Sequence, residues 1–412
     1  MIATGIITQK MLAGGFCLGK IDGKSVLIED ALPGETVSVE ITQDKGDFYY
    51  AKVTRIEKPS SLRINSTCPF YANCGGCNLQ ITAVQNQRNL KEEIMKDALI
   101  RAGLSEDQIP EISTLFADEW HYRNRFQLHD GGLKKRKSNE IIKINQCPVA
   151  VEEINEYLKN SAAANGEKNA EQISKNSKSS KKSNNFLQNQ RVHLFAADGK
   201  LTIAQPKEKR GKFAGSLIDD AELCTVNILG KTLQFSVQGF FQSNLQMLQK
   251  TIQLLCKNLG GKRCADIYSG VGTFSVFLAE LFEEVYLIEH NRDALVLAEK
   301  NLAALKNANP GIGRHFSFGI AGEKWPAMAD SKKDFDAVVI DPPRSGMEKP
   351  VREWLKSKKI PQIRSLSCDP VTFARDAADL CQNGYRLESL TLLDYYPQTS
   401  HIESLANFIY QA

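Results

Sequence analysis

Cys368 stands where the sequence predicts that a strand ends and a helix begins. The residues before it, Ser365 to Ser367, close a β-type run, while Asp369 and Pro370 suit the N-cap and the first position of a helix. A thiol beside a helix N-terminus has its pKa lowered, because the helix dipole favours the thiolate, which is the nucleophilic form. The position therefore predicts a nucleophile, whereas packing in the core is the expectation for Cys256, Cys264 and Cys381.

Two candidates for proton transfer lie further along the chain, in the segment Pro397 to Glu403. A thiolate that adds to carbon 6 of a uracil makes carbon 5 nucleophilic, and a base must later remove the proton from carbon 5. His401 and Glu403 are both suited to that step. A packed histidine and an exposed, salt-bridged glutamate are the ordinary alternatives, so the residues alone leave the choice open.

A glycine-bearing turn after a predicted strand indicates a cofactor site. In Asp266 to Phe274 a strand ends in an acid and a turn with Gly270 and Gly272 opens a helix, at the sheet edge where α/β proteins bind ligands. The next strand, Val285 to Glu289, ends in an acid placed to accept hydrogen bonds from a ribose. Because Ser275 occupies the third glycine position of the dinucleotide motif, a nicotinamide cofactor and S-adenosylmethionine both fit these strands.

A third strand distinguishes the two cofactors. Val338 to Ile340 is followed by Asp341, Pro342 and Pro343, which place a carboxylate and a stiffened turn at the same sheet edge. This Asp-Pro-Pro segment resembles the substrate-facing motif of many methyltransferases, and a dehydrogenase has no evident need for it. The pattern favours S-adenosylmethionine.

These residues need a parallel sheet to position them, and the second half of the chain predicts one. From Leu245 onwards helical stretches alternate with apolar runs, which is typical of a doubly wound α/β sheet. The predicted strands are Arg263–Tyr268, Glu284–Glu289, Phe335–Ile340, Ile363–Cys368, Arg386–Asp394 and Ile402–Tyr410.

The first half has a different pattern. Apolar spacing predicts a helix over Ile81 to Ala102, and Asn160 to Asn185, rich in Ser, Asn and Lys, predicts a flexible insertion. The first 58 residues predict a small barrel of the oligonucleotide-binding type, with strands at Thr4–Thr8, Lys24–Ile28, Thr36–Thr42 and Tyr49–Glu57.

Composition sets wider bounds. The 412 residues suffice for about two to four domains, and a net charge of +4 is too mildly basic to indicate nucleic-acid binding by itself. Two basic runs, Lys134–Lys137 and Lys207–Lys212, are phosphate contacts or solvated loops. The sequence shows no targeting segment and no apolar stretch of membrane length, which predicts a cytoplasmic protein without membrane contact.

A group of cysteines indicates a second site. Cys68, Cys74 and Cys77 lie close together around Gly75-Gly76, and Cys147 follows a predicted strand. In a long chain without a signal peptide this spacing favours metal binding over disulfides. Four thiolates hold either an iron–sulfur cluster or a zinc ion, and the spacing does not distinguish them.

Five motifs in a fixed order give nearly the whole chain a resemblance to the RNA uracil-5 methyltransferases that modify transfer RNA and large-subunit ribosomal RNA. They are Phe240–Asn244, Asp266–Thr273, Asp341–Gly346, Ser367–Pro370 and His401–Glu403. The resemblance implies an RNA-binding OB-type domain of the TRAM kind at 1–58, a central β-rich iron–sulfur domain at 59–235 and a Rossmann-like class I methyltransferase domain at 236–412. We expect a monomer whose partner is RNA, ribosomal RNA in preference to transfer RNA.

The resemblance also implies roles for single residues. Cys368 is the expected nucleophile, and Glu403 rather than His401 is the expected base. The residues expected to contact S-adenosylmethionine or the target base are Gln242, Tyr268, Thr273, Glu289 and Asp341. A 4Fe-4S cluster is implied, outside the methyl-transfer chemistry, at Cys68, Cys74, Cys77 and Cys147.

Two positions depart from the family pattern. Asp369 stands where many members have Asn, and Gly319–Ala321 stands where many carry an acid that contacts adenine. The alternative functions are an iron–sulfur radical methylating enzyme and a non-catalytic RNA-binding protein. The cysteine spacing differs from that of radical enzymes, and Cys368 with Glu403 argues against a protein without chemistry.

Overall fold

The computed structural model describes residues 1–161, 191–205 and 220–411. Nearly all of the insertion predicted at Asn160–Asn185, and the whole basic run Lys207–Lys212, lie outside these residues. In the described ranges, no helix combines the length and the apolar character that crossing a membrane requires.

The N-terminal residues form a six-stranded sheet with strand order β1-β5-β6-β4-β3-β2. The sheet curls on itself, as two contacts show. The Gln9 amide donates to the Leu18 carbonyl (2.8 Å), and a Cβ atom at Gly19 would lie 2.9 Å from Ile6. This curled sheet agrees with the predicted barrel. The strands are β1 (Ile2–Ile7), β2 (Met11–Leu12), β3 (Phe16–Ile21), β4 (Lys24–Glu29), β5 (Thr36–Asp44) and β6 (Phe48–Lys58).

The middle of the chain supplies one long helix and several small sheets. Helix α1 (Val84–Arg101) lies inside the stretch predicted to be helical, and a second helix, α2, covers 152–161. The sheets are β12-β11-β8, β10-β9 and β13-β14. Their strands are β8 (Arg125–His129), β9 (Leu133–Lys134), β10 (Ile141–Ile142), β11 (Arg191–Ala197), β12 (Lys200–Ala204), β13 (Leu223–Ile228) and β14 (Lys231–Ser236).

An eight-stranded sheet organises the second half, in the order β17-β16-β15-β18-β19-β21-β20-β7. Strands β15 to β19 pair in parallel, and β21 lies antiparallel between β19 and β20. The strands are β15 (Gly261–Ile267), β16 (Phe282–Ile288), β17 (Arg314–Phe318), β18 (Ala337–Ile340), β19 (Gln362–Ser367), β20 (Tyr385–Leu393) and β21 (Glu403–Tyr410).

Helices cover both faces of this sheet, so the central strand β18 is apolar throughout. All four residues of β18 are buried, as expected for a parallel strand packed on both sides. On one face Trp325, fully buried, packs its ring against those of Phe335 and Trp354. The helices are α3 (Leu245–Cys256), α4 (Ser275–Leu278), α5 (Arg292–Ala308), α6 (Lys349–Lys358) and α7 (Pro370–Cys381).

One strand of the middle region belongs to the large sheet, and one helix of this region packs against a helix that covers the sheet. Strand β7 (Ile112–Leu115) pairs in parallel with β20 at the sheet edge, and α1 packs against α7. In α1, Arg88 and Lys91 donate to the buried carboxylate of Asp394 at 2.9 and 2.8 Å. The domain boundaries at 58 and 235 therefore stay a prediction, because residues before 235 help to build the catalytic sheet.

Candidate active site

Three residues predicted to form the cofactor site follow the ends of neighbouring parallel strands at the same level. In the register of the parallel strands, Ile267 pairs with Ile288 on one side and with Ile340 on the other. The next residues, Tyr268, Glu289 and Asp341, therefore meet at the carboxyl edge of the sheet. The structure brings together three predicted residues that the sequence places up to 73 positions apart.

The turn between β15 and α4 has an unusual backbone. Tyr268 has a φ of 67°, which is left-handed and rare for a tyrosine, and Gly270 and Gly272 have φ values of 56° and 75°. A Cβ atom at Gly272 would lie 3.1 Å from that of Ala298, so glycine also permits close packing there. This conformation directs the Gly270 amide to the Glu289 carboxylate, to which it donates at 3.0 Å.

Buried carboxylates dominate the electrostatics of this edge. Burial raises the pKa of Asp266 to about 7, with further contributions from the charges of Asp341 and Glu289, and burial raises the pKa of Asp341 to about 7. Several carboxylates in one buried place favour a cationic ligand and repel a pyrophosphate. The sulfonium and ammonium groups of S-adenosylmethionine suit this field, whereas the pyrophosphate of a nicotinamide cofactor does not.

Two buried polar atoms of the same region have no hydrogen-bond partner in the described residues. They are Oδ1 of Asp266 and Oγ of Ser269; the other oxygen of Asp266 accepts a hydrogen bond from Ser275 at 2.5 Å. Unsatisfied buried polar atoms are rare in folded proteins and are found at ligand sites. Their position beside the glycine turn fits a polar cofactor.

Cys368 and Glu403 face each other across two neighbouring strands. Strands β19 and β21 pair antiparallel with Ser367 opposite Ser404, so the same register, continued by one residue, puts Cys368 opposite Glu403. Facing residues of antiparallel strands have Cα atoms about 4.5 to 5.5 Å apart. The predicted nucleophile and the predicted base are thus brought together.

The thiol itself does not have the property predicted from the sequence. Cys368 does precede a capped helix, because Asp369 accepts hydrogen bonds from the amides of Val371 and Thr372 at 3.0 and 2.9 Å. Its pKa is nevertheless raised to about 11, first by burial and then by the charges of Glu403 and Asp341. The prediction of a lowered pKa was wrong, because burial and neighbouring carboxylates outweigh the helix terminus.

The two candidate bases have opposite properties. Burial and the charge of Asp341 raise the pKa of Glu403 to about 8, and removal from water followed by the charges of Arg344 and Arg123 lowers the pKa of His401 to about 4. His401 is therefore neutral at pH 7. A carboxyl group with a pKa near the working pH is the better matched proton acceptor.

The remaining predicted residues lie at the entrances to two helices. Gln242 is half-buried between the buried Phe241 and Asn244, which caps α3 by accepting a hydrogen bond from the Met247 amide. Thr273 is half-buried in the turn that leads into α4. Both positions are consistent with the prediction, which the structure does not test further.

Sequence reasoning missed residues whose effect depends on long-range contacts. The charge of Arg344 lowers the pKa of both Cys368 and Glu403, and the charge of Lys91 also lowers the pKa of Glu403. Arg344 directly follows the Asp-Pro-Pro motif, which was the signal for it in the sequence. Lys91 carried no such signal, because a lysine in a helix ordinarily faces solvent.

A cleft of about 950 Å³ leads from Cys368 to the N-terminal sheet. Its walls comprise the turn at residues 13–16 of the N-terminal sheet, the basic run Lys134–Lys137, the loop at residues 75–78 and the segment Thr399–Ile402. Lys134 and Lys137 are exposed there. The cleft therefore joins the predicted nucleophile, cationic side chains and the predicted RNA-binding sheet along one surface.

The four clustered cysteines line a separate pocket of about 150 Å³, together with Phe126, Leu133, Ile144 and other residues. Burial raises the pKa of Cys77 to about 11 and that of Cys147 to about 12. As placed, no three His, Cys, Asp or Glu side chains in residues 1–161, 191–205 and 220–411 form a group that could hold a metal ion. The iron–sulfur cluster stays a prediction.

The fold and this edge of the sheet define a class I methyltransferase that uses S-adenosylmethionine. The sequence model described as tRNA (uracil-5-)-methyltransferase matches residues 202–409, and the TRAM domain model matches residues 6–54. The chain belongs to this family of S-adenosylmethionine-dependent RNA uracil-5 methyltransferases, preceded by a TRAM domain. Family membership, cofactor and the N-terminal domain were thus predicted correctly.

Relatives and a solved structure agree with this assignment. An "uncharacterized RNA methyltransferase" of Treponema denticola is 35% identical, with 97% of this chain and 98% of the relative covered. A 23S rRNA (uracil(1939)-C(5))-methyltransferase, RlmD, of Shewanella sp. strain MR-4 is 30% identical over 96% of this chain and 93% of its own length. The tRNA (uracil-54, C5)-methyltransferase of Pyrococcus abyssi, solved with S-adenosyl-L-homocysteine, shares the fold with a TM-score of 0.72, 21% identity and coverage of 99% and 100%.

Proposed function

We propose that this protein methylates carbon 5 of a uridine in 23S ribosomal RNA and that Cys368 forms a transient covalent bond to the base. The observation that carries the proposal is the placement of Cys368 opposite Glu403, with the thiol open to the long cleft. A nucleophile and a base on facing strands meet the same ring from positions about one strand spacing apart. This is the arrangement that addition followed by proton removal requires.

The reaction balances with these two residues. The Cys368 thiolate forms a bond to carbon 6, and the electron pair of the carbon 5–carbon 6 double bond moves onto the carbonyl at carbon 4. The electron pair then returns from that oxygen to form a bond from carbon 5 to the methyl group, and the bond from this methyl group to the donor's sulfonium sulfur breaks, which would leave S-adenosylhomocysteine. Glu403 takes the proton from carbon 5, the double bond forms again, and the bond between carbon 6 and sulfur breaks to return the thiolate.

The neighbouring charges determine the protonation states of Cys368 and Glu403 during the reaction. Because the pKa of Cys368 is raised to about 11, the thiol is largely protonated at neutral pH, and the Arg344 cation is the group that lowers this pKa. Negatively charged Glu403 opposes formation of the thiolate. Proton acceptance by Glu403 and departure of the thiolate are therefore electrostatically compatible, since a neutral Glu403 no longer opposes an anionic sulfur.

The methyl donor is held at the carboxylate edge of the sheet. S-adenosylmethionine, when bound, supplies an electrophilic methyl group on a sulfonium. In this proposal Glu289 and Asp341 accept hydrogen bonds from the cofactor or the base. Asp266 orders the turn through its hydrogen bond from Ser275. Gln242, Tyr268 and Thr273 complete the contacts to the cofactor or the base in this proposal. The side-chain amide of Gln242 is a donor as well as an acceptor, which suits a contact to either of them.

The cleft between Cys368 and the TRAM domain is the proposed path of the RNA. Lys134 and Lys137 are exposed on its wall, where they can neutralise phosphates, and Lys137, which pairs with Glu29, also lies over the ring of Phe16. Reaching carbon 6 with a thiol buried at the cleft floor requires that the uridine leave its stack. A single-stranded or unpaired target is therefore expected.

The four cysteines are proposed to hold a 4Fe-4S cluster with a structural role. Their pocket is lined by thiols and apolar side chains, which is a suitable donor set for a cluster and for zinc. Iron and acid-labile sulfide measured on anaerobically purified protein, with Cys147→Ser as the comparison, test this. Zinc without sulfide would overturn the proposal.

The choice of ribosomal RNA rests on the relatives named 23S rRNA methyltransferases, which are 30% identical over almost the whole chain. The experiment is to map 5-methyluridine in total RNA from a deletion strain complemented with the wild-type gene or with Cys368→Ala. We expect one or more 23S positions to lose the modification in the deletion strain and to regain it only with the wild-type gene. Loss confined to transfer RNA would overturn the assignment.

A further inference from the structure

The segment that carries His401 and leads into Glu403 contains a strained residue. Gln398 has a φ of 70°, in the left-handed region that residues with a Cβ atom rarely adopt, and its side chain is only 3% exposed. Such a conformation costs of the order of 1 kcal/mol or more, so the surroundings must determine it. The contacts of Gln398 show how they do so.

Gln87 of α1 binds Gln398 through both ends of its amide. The Gln398 backbone amide donates to Gln87 Oε1 at 2.8 Å, and Gln87 Nε2 donates to Gln398 Oε1 at 3.0 Å. Nε2 also donates to the carbonyls of Leu79 and Thr82 at 3.0 and 2.9 Å. Gln87 is fully buried, so every one of these contacts forms away from water.

Asn78 makes a second two-ended contact two residues further on. The Ser400 amide donates to Asn78 Oδ1 at 2.8 Å, and Asn78 Nδ2 donates to Ser400 Oγ at 2.9 Å. The amides of Asn78 and Leu79 both donate to the Gln398 carbonyl, at 3.2 and 3.0 Å. The chain after Gln398 is therefore bound on its backbone as well as on its side chains.

The same contacts reach the TRAM domain and the cysteine loop. Asn78 directly follows Cys77, and a Cβ atom at Gly15 in the N-terminal sheet would lie 2.8 Å from Asn78 Nδ2 and 2.9 Å from Ser400 Cβ. Glycine is thus required for this close approach. Asn78 therefore connects three parts of the chain that lie far apart in sequence: the N-terminal sheet, the cysteine loop and the segment at Ser400.

The length of the bound segment connects these contacts to catalysis. Only His401 and Ile402 separate Ser400 from Glu403, the first residue of β21. One turn beyond Gln87 on the same helix, Lys91 binds Asp394 and also acts on the charge of Glu403. The contacts of Asn78, Gln87 and Lys91 therefore fix both ends of the segment 394–403 from the middle region.

We propose that Gln87 and Asn78 are positioning residues that hold the segment 398–403 so that the Glu403 carboxylate faces carbon 5 of the base bound to Cys368. This inference rests on the proposed function. A displaced carboxylate would act mainly on proton removal, because addition of the thiol and methyl transfer do not use Glu403. The step that slows is therefore release of the methylated RNA from Cys368.

The test is single-turnover kinetics with Gln87→Met, in which an apolar chain of similar volume replaces the amide. Gln85→Met is the matched control, since Gln85 is exposed on the same helix. We expect Gln87→Met to lower kcat by about 10- to 100-fold with kcat/KM for RNA nearly unchanged, because the slowed step follows methyl transfer. A covalent, methylated RNA–protein adduct should accumulate on denaturing gels and should release methylated RNA slowly.

Two outcomes would overturn the proposal: wild-type kcat without adduct, or an equal slowing of methyl transfer and release, which would indicate a general structural defect. Asn78→Ala provides a second measurement at a partly exposed position if Gln87→Met does not fold, with binding of S-adenosylhomocysteine as the check on folding. Failure of the proposed function is distinguishable, because wild-type enzyme would then form no adduct that depends on Cys368.

Discussion

Cys368, which directly follows strand β19, lies opposite Glu403, the first residue of the antiparallel strand β21, and the charge of Glu403 acts on the ionisation of the thiol. Glu403 contributes to the raised pKa of Cys368, so it is unfavourable for the sulfur and the carboxylate to be negatively charged at the same time. In an addition and elimination mechanism this is useful, because the carboxylate becomes neutral at the moment the thiolate must leave. The pair therefore supports an ordered exchange of charge between two facing residues.

Replacing Cys368 by Ala should abolish methyl transfer, because the variant lacks the thiol that lies opposite Glu403 and adds to carbon 6 in the proposed mechanism. RNA containing 5-fluorouridine should form a stable adduct with the wild-type protein, because carbon 5 then carries fluorine in place of the hydrogen that the base removes as a proton. Gel electrophoresis under denaturing conditions measures this adduct. Cys381→Ala is the control, because Cys381 ends α7 away from the cleft; retention of activity in Cys368→Ala would refute the covalent mechanism.

The pH dependence of kcat should reflect Glu403, because proton removal follows methyl transfer. Its pKa is raised to about 8 by burial and by Asp341, and a base acts only when deprotonated, so activity should rise as the pH increases through about 8. The raised pKa of Cys368 acts in the same direction, because thiolate also increases with pH.

Glu403→Gln separates these two contributions. We expect the inflection near pH 8 to disappear and Cys368 to react faster with iodoacetamide at a fixed pH above about 8, where the wild-type carboxylate is charged and the variant removes that charge. Asp369→Asn, a charge change at the helix cap, is the comparison. An unchanged alkylation rate in Glu403→Gln would show that the two side chains do not interact.

Binding of RNA should depend on the basic wall of the cleft. The double variant Lys134→Ala, Lys137→Ala should make the slope of log affinity against log salt concentration shallower by about 1.5 to 2, as expected for two lost phosphate contacts. Filter binding or fluorescence anisotropy over a salt series measures the slope. Lys300→Ala with Lys306→Ala, exposed on α5, is the matched control and should leave the slope unchanged.

Lys91 should contribute strongly to stability. Its side chain and that of Asp394 are each 1% exposed, so Lys91→Met leaves a buried carboxylate with Arg88 alone and should lower the free energy of unfolding by about 3 kcal/mol. Lys10→Met removes a comparable ion pair with Asp97 that is 40% and 35% exposed, and should cost less than about 1 kcal/mol. Denaturant unfolding compares the two; equal losses would contradict the importance of burial.

The sequence by itself determined the parts that depend on local order. The glycine turn at 270–272, the acids that end β15 and β16 and the Asp-Pro-Pro turn each lie within a few residues, and short-range sterics and capping fix their conformation. Those motifs sufficed to predict the parallel sheet and the methyltransferase family, and the assignment of Cys368 as the nucleophile stays a prediction. Strand β3 was missed because Gly19 and Lys20 interrupt its apolar pattern.

Only the tertiary structure decided how these parts act on one another. Burial and three nearby carboxylates reversed the expected pKa of Cys368, and of these carboxylates only Asp369 is its neighbour in sequence. The register of β19 and β21 brought Glu403 to the thiol, and Gln87 and Asn78 reached the same segment from more than 300 residues away. Long-range packing sets burial, and burial sets the strength of every charge and hydrogen bond in the site.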